Sequence, residues 1–139
     1  MRQVLLHCGP SEREGANRIA AEVNHPLVAS MGRFKDLPIG LTKAVLARAS
    51  VVVSTDSGPR HIAVALNRPV ISLFGPTNPF STRTYNLSET ILAADLPCRP
   101  CCAKSCPLIH GQCMKDLEVK SVIHAIIQNA MNRPATRAA

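Results

Sequence analysis

The stretch VVVSTDSGPRH, residues 51–61, sets the order of strand, polar turn and helix. Its β-branched valines predict a buried strand over Val51–Val53. The polar residues Ser54–Gly58 then form a turn. Pro59 fits the first position of a helix, where a missing amide proton does no harm, so we expect a short helix over Arg60–Leu66. A strand followed closely by a helix is the repeating unit of an α/β fold.

The same alternation extends in both directions along the chain. Further strands are predicted at Val4–Cys8, Pro26–Ser30, Val70–Phe74 and Thr90–Ala94. Further helices are predicted at Glu12–Val23, Leu41–Ala49 with Thr42 as its cap, and Val119–Met131, with a loop at Met31–Gly40 and a frayed end at Asn132–Ala139. Strands that are apolar throughout are typical of parallel sheets covered on both faces. The predicted fold class is therefore α/β, a doubly wound parallel sheet with helices on both faces.

Length and composition favour one domain over residues 1–139, because the chain has the usual size of a single core and is 46% hydrophobic. No apolar run approaches the roughly 20 residues that cross a bilayer. The first residues are also too polar for a signal peptide. These features predict a cytoplasmic protein.

The net charge of +7 favours partners that carry phosphate. Nucleic acid is disfavoured, since one Tyr, three Phe and no Trp offer few stacking surfaces and the basic residues are dispersed. The charge therefore indicates a phosphorylated ligand without identifying it.

The turn after the valine strand has the residue types of an anion site. Backbone amides at the start of a helix bind anions, and ligands of parallel sheets lie beyond the carboxyl ends of the strands. Gly58 allows a close backbone approach, Thr55 and Ser57 can donate hydroxyl protons, and His61 can donate to a phosphate oxygen. Asp56 cannot donate when ionised, so we expect it to hold the turn or to contact a sugar hydroxyl. The alternative is an ordinary helix cap beside a surface histidine.

Two further loops are candidates for the nucleotide or the sugar. Gly75 and Thr77 follow the strand Val70–Phe74 and are expected at the same sheet edge, although this loop is equally consistent with a turn that only ends the strand. Gly9 and Glu12 precede a helix. Glu12 can accept sugar hydroxyls, and favourable placement at the helix dipole explains it equally well.

The cysteine-rich stretch offers a metal site. Cys98, Cys101, Cys106 and Cys113 supply four thiols, and structural zinc takes four such ligands in a tetrahedron. Only the first pair has the usual spacing, and Cys102 or His110 could replace a ligand. Reduced thiols and a disulfide are the alternatives. Cys8, within an apolar strand, is predicted to lie in the core.

Several of these segments resemble glycosyltransferase family nine, the bacterial heptosyltransferases that build the lipopolysaccharide inner core from ADP-heptose. The resemblance rests on Asp56-Ser57-Gly58-x-x-His61, the alanine-bearing helix and Pro69 after it, and Gly75-Pro76-Thr77-x-Pro79. Gly9–Glu12 and Cys98–Met114 also resemble segments of that family. The similarity thus covers most of the chain.

The resemblance implies the carboxyl-terminal, Rossmann-like half of a GT-B fold. It implies an ADP-sugar donor whose diphosphate lies at Asp56, Ser57, Gly58 and His61, and transfer with inversion that needs no catalytic cofactor. In such enzymes an amino-terminal domain binds the acceptor, a lipid-linked oligosaccharide, and supplies the catalytic base. We accordingly expect no catalytic residue in this chain and an association with the inner face of the membrane.

The resemblance also leads us to interpret these 139 residues as a fragment without the acceptor domain and without a first strand that is central in the sheet. Such a chain is expected to bind the donor without turnover. Two other functions remain open from the sequence. These are a binding module without catalysis and a cysteine-rich interaction domain stabilised by zinc.

Overall fold

Strands and helices alternate along the chain in the computed structural model, which describes residues 3–84 and 88–131. The described strands are β1 (Val4–Leu6), β2 (Val28–Ser30), β3 (Val52–Thr55), β4 (Val70–Phe74) and β5 (Glu89–Ala93). The described α-helices are α1 (Arg13–Val23), α2 (Ile39–Arg48), α3 (Gly58–Ala65), α4 (Gln112–Lys115) and α5 (Val119–Met131), and 3₁₀ turns cover Pro10–Glu12 and Met31–Arg33. Among the described helices, none combines the length and the apolar character that a membrane span requires.

Most predicted elements are present, and β4 and α5 have the predicted bounds. The expected cap at Thr42 is wrong, because α2 begins at Ile39 and Thr42 lies within it. Thr42 is buried, and its hydroxyl lies 2.9 Å from the His7 Nε2 atom. The frayed end predicted at Asn132–Ala139 lies outside the described residues.

All described strand pairs are parallel, which confirms the α/β class. β1 pairs with β2 in one sheet, and β3, β4 and β5 form a second sheet in that order. The chain correspondingly divides into two compact units between Ala44 and Val45, within α2. Among the described strands, β1 and β3 are not paired with each other, so each sheet has its own hydrogen-bonded ladder. The single domain expected over residues 1–139 stays a prediction.

The first unit is built on close packing between α1 and the turn Met31–Arg33. A Cβ atom on Gly32 would lie 2.6 Å from the Arg13 carbonyl oxygen and 2.6 Å from the Asn17 Oδ1 atom. Only glycine therefore fits at this contact. Met31 beside it is fully buried.

The second unit has its core around β4. Val70, Ile71 and Phe74 of that strand are fully buried, and Val70 joins a cluster with Leu46, Val52 and Ala63. This packing places α3 directly after the carboxyl end of β3. The loops that follow β3 and β4 therefore leave the same edge of a parallel sheet, as predicted.

Replacement of Phe74 by alanine tests this core. Phe74 is 0% exposed, so Phe74→Ala should lower the free energy of unfolding by about 3–5 kcal/mol. Phe80 is 81% exposed, so Phe80→Ala should change it by less than about 0.5 kcal/mol. Urea unfolding followed by circular dichroism measures both, and equal effects would contradict the assignment of β4 to the core.

Candidate functional site

The predicted anion site lies where β3 ends and α3 begins. Ser57 is the N-cap residue of α3, and its side chain caps no amide of the first turn. Its hydroxyl instead donates to the Thr55 carbonyl oxygen at 3.2 Å and lies 3.1 Å from the Ser54 hydroxyl. The N-cap side chain therefore does not compete with a ligand for the first-turn amides of α3.

A buried arginine, Arg60, contacts this turn. Arg60 is 0% exposed, and its guanidinium group lies 4.9 Å from the centre of the Phe74 ring. Its Nε atom donates to the Glu89 carboxylate at 2.6 Å and to the Ser72 hydroxyl at 3.1 Å. Its Nη1 atom donates to the Asp56 carboxylate and to the Thr82 carbonyl oxygen, both at 3.0 Å. One side chain thus connects α3, β4, β5 and the segment before β5.

Arg60 had no predicted role, and the predicted site residues did not include Ser72, Thr82 or Glu89. One signal was present, since Asp56 and Arg60 are four residues apart, a spacing at which charged side chains meet on a helix. Glu89 and Thr82 carry no such signal, because they lie 29 and 22 residues from Arg60.

Asp56 is occupied by protein contacts. Its Oδ1 atom accepts from Arg60, its Oδ2 atom accepts from the Thr82 hydroxyl at 3.1 Å, and its side chain is 11% exposed. The His61 Nε2 atom lies 3.9 Å from the Asp56 Oδ1 atom, and the His61 side chain is half exposed. Of the two roles expected for Asp56, the geometry favours holding the turn. His61 is available to solvent at the same helix start.

Glu89 is the second carboxylate on Arg60. Burial acts to raise the pKa of Glu89, but hydrogen bonds from Arg60, Ser72 and Thr84, together with the Arg60 charge, outweigh it and hold this pKa below its ordinary value. The Ser72 hydroxyl donates at 2.5 Å. Glu89 is therefore an ionised partner of Arg60 at neutral pH.

The Gly75 loop is packed against the cysteine-rich stretch. A Cβ atom on Gly75 would lie 2.8 Å from the Met114 Sδ atom, and the Gly75 carbonyl oxygen accepts from the Arg99 Nε atom at 2.6 Å. The buried Gly75 therefore meets a packing requirement. Thr77 is half-buried two residues further on. The donor contacts predicted for Gly75 and Thr77 stay predictions.

Gly9 and Glu12 belong to the first unit, and they contact each other. The Glu12 Oε2 atom accepts from the Gly9 amide at 2.8 Å, just before α1. This bond supports the alternative in which Glu12 serves the start of the helix. Cys8 before them is buried, as predicted, and burial raises the pKa of its thiol.

All six cysteines are free thiols. Within residues 3–84 and 88–131, no group of three or more His, Cys, Asp or Glu side chains could hold a metal ion. The structure thus gives no support to zinc at Cys98, Cys101, Cys106 and Cys113. The Cys106 thiol accepts from the Gly111 amide at 3.4 Å, and this bond with neighbouring amides lowers the pKa of that exposed thiol.

A cavity of about 540 Å³ lies elsewhere in the second unit, between β5 and α5. Thr90, Lys120, His124 and Gln128 are among its lining residues, and none of the predicted site residues lines it. The predicted donor site therefore does not coincide with this cavity.

Known proteins are similar to most of this chain. Residues 2–111 match the family model described as glycosyltransferase family 9 (heptosyltransferase). Lipopolysaccharide heptosyltransferase 1 of Pseudomonas aeruginosa is 42% identical over 96 residues, covering 69% of this chain and 26% of that protein. Lipooligosaccharide heptosyltransferase 2 of Campylobacter jejuni is 38% identical over 124 residues, covering 88% of this chain and 39% of that protein. The chain spans well under half the length of these relatives.

Solved structures share the fold. The E. coli ADP-heptose lps heptosyltransferase II matches with a TM-score of 0.74 at 21% identity, covering 93% of this chain and 36% of that one. The E. coli heptosyltransferase WaaC with ADP matches with a TM-score of 0.67 at 28% identity, covering 93% of this chain and 34% of that one. At 21% identity, the likeness to the heptosyltransferase II structure concerns the fold alone.

The Glu89 charge should support the fold in a pH-dependent way. Because its pKa is lower in the folded protein, ionised Glu89 stabilises the fold above its unfolded value, and this contribution is lost as the pH falls through the folded value. Glu89→Gln should therefore cost about 3 kcal/mol at pH 7. The difference from wild type should shrink below about pH 4, under the ordinary pKa of glutamate.

Urea unfolding at several pH values measures this difference. Glu118→Gln is the matched control, because Glu118 is exposed in the same unit. A Glu89→Gln deficit that stays constant down to pH 3, roughly a unit below the ordinary pKa, would contradict the ion pair.

Proposed function

Because the chain belongs to glycosyltransferase family 9, we propose that its second unit binds the diphosphate of a nucleotide sugar at residues 55–61, as the donor half of a lipopolysaccharide-core glycosyltransferase. The donor we propose is ADP-heptose, which is supported by the heptosyltransferase relatives and by the WaaC structure solved with ADP. The observation that carries the proposal is the start of α3. It follows the carboxyl end of a parallel strand, and its N-cap side chain leaves the first-turn amides to a ligand.

Each group at this turn has a defined task in the proposal. The amides and the dipole of α3 attract the diphosphate, and His61 donates a hydrogen bond to a phosphate oxygen. In the reaction an acceptor hydroxyl attacks the anomeric carbon with inversion while ADP leaves. The same donors then stabilise the negative charge that grows on the departing diphosphate. Loss of one well-placed donor of this kind typically costs about 2.7–4 kcal/mol in the transition state.

The acceptor is part of the same proposal. We place a lipid-linked oligosaccharide and the catalytic base on a second domain, with the enzyme at the cytoplasmic face of the membrane. Family membership supports this assignment, since the relatives are lipopolysaccharide and lipooligosaccharide heptosyltransferases and are much longer than this chain. A matching acceptor domain supplied separately should then restore transfer. A binding module without catalysis would show donor binding and no restored transfer.

An amide NMR titration of the chain with ADP tests the donor site. We expect saturable shifts at Ser57, Gly58 and His61, with weaker shifts for UDP. His61→Ala should weaken ADP binding by about tenfold or more, since a hydrogen bond to a charged group is lost. His124→Ala is the matched control, because His124 is an exposed histidine of the same unit that lies on α5.

Two results would overturn the proposal. One is a dispersed spectrum in which millimolar ADP moves none of these amides. The other is equal binding by wild type and by His61→Ala, which would remove His61 from the site. If ADP instead moved amides of the cysteine-rich stretch, the interaction-domain alternative would gain support.

A further inference from the structure

The Asp56 carboxylate presents an electrostatic problem for the proposed donor site. It is the residue directly before the N-cap Ser57, and a carboxylate beside a diphosphate repels it. Both of its oxygens are nevertheless satisfied inside the protein, by Arg60 on one side and by the Thr82 hydroxyl on the other. The contact with Arg60 is 3.0 Å and almost fully excluded from water, so it is only weakly screened.

We propose that Arg60 is a positioning residue of the donor site, which acts through Asp56. The guanidinium group neutralises the Asp56 carboxylate and fixes its direction, and the turn Asp56–Gly58 then presents the first-turn amides of α3 to a diphosphate. This inference rests on the proposed function and assigns a role to a residue that does not touch the ligand.

The chemistry of arginine fits this role. Its planar group carries five donors, and here Nε serves β4 and β5 while Nη1 serves Asp56 and the segment before β5. A lysine carries a single ammonium group, which cannot donate to both of these sets of acceptors in one plane. The Phe74 ring under the guanidinium holds that plane in place.

Within the described residues, the Nη2 atom of Arg60 is the one buried side-chain polar atom without a hydrogen-bond partner. A buried arginine with an unused donor is unfavourable as a purely stabilising device. The two carboxylates that contact Arg60 lie in different elements. Glu89 belongs to β5, and Asp56 belongs to the turn before α3. Stability and positioning can therefore be separated by changing one contact at a time.

A double-mutant cycle in ADP binding tests the role. We expect Arg60→Met to weaken ADP binding by about tenfold in the wild-type background, because Asp56 then carries an uncompensated charge. In the Asp56→Asn background the same change should have an effect of less than about threefold. A merely structural role predicts the same loss in both backgrounds. Affinity is measured by NMR titration at a temperature where each variant is folded.

Two further variants keep the test decisive if Arg60→Met does not fold. Thr82→Val removes the hydroxyl that donates to the Asp56 Oδ2 atom and accepts a 3.4 Å bond from the Arg60 Nη1 atom, and it keeps both ion pairs. It should weaken ADP binding and shift the amides of Ser57 and His61. Glu89→Gln keeps the contact between Arg60 and Asp56, so it should leave ADP affinity within about threefold while it lowers stability. Arg18→Met is the control, because it breaks an exposed pair of the same i,i+4 spacing.

The outcomes separate this inference from the proposed function. Wild type that shows no saturable ADP shift overturns both. Wild type that binds ADP while Arg60→Met binds equally well, or loses the same factor in both backgrounds, overturns the positioning role alone. A larger loss of affinity for Glu89→Gln than for Thr82→Val also overturns it.

Discussion

A fully buried guanidinium group is the constraint on which the second unit depends. A charge without access to water must be paired and hydrogen-bonded, because its desolvation costs several kcal/mol. Groups from four parts of the chain pair with Arg60 at its Nε and Nη1 atoms, and its Nη2 atom is left without a hydrogen-bond partner among the described residues. These groups belong to Asp56, Ser72, Thr82 and Glu89. The start of α3, the central strand β4 and the strand β5 are thereby held in one arrangement. Movement of any one of them leaves a buried charge with fewer partners.

The same constraint connects the core to the surface. Arg60 lies within the first turn of α3, which begins shortly after the carboxyl end of β3. Helix ends fray, and the first amides of a helix have no partners within the helix. Here Asp56 in the turn before α3 is fixed by a salt bridge to Arg60 and by a hydrogen bond from the Thr82 hydroxyl. In the proposed donor site, the amides of this turn are therefore held in place before a ligand binds, which lowers the entropy that binding must overcome.

Local sequence patterns predicted the elements whose formation depends on residues close together in the chain. The valine run, the proline at the helix start and the apolar strand Val70–Phe74 located β3, α3 and β4, because propensity and burial agree there. Arg60 was missed because an arginine is expected at the surface unless a buried partner is visible in the sequence. Its partner Glu89 lies too far along the chain to form such a pattern. The exposure of β1 was missed as well. Val4 and Leu5 look like buried strand residues, yet they are 54% and 41% exposed, and among the described strands β1 is paired with β2 alone.

Zinc at the cysteine-rich stretch stays a prediction, and the structure adds a packing contact that the sequence did not indicate. Four thiols at short spacings are the ligands that zinc prefers, but a tetrahedral site also requires that the backbone bring them together. In this chain the stretch turns through positive φ angles at Cys102, Ile109 and Gly111, and most of its thiols are exposed. It contacts the loop after β4 at two residues. Arg99 and Met114 contact Gly75, and the Cys102 amide donates to the Pro76 carbonyl oxygen. The segment therefore holds the loop after β4 in place, which is a packing role that a pattern of ligand residues cannot reveal.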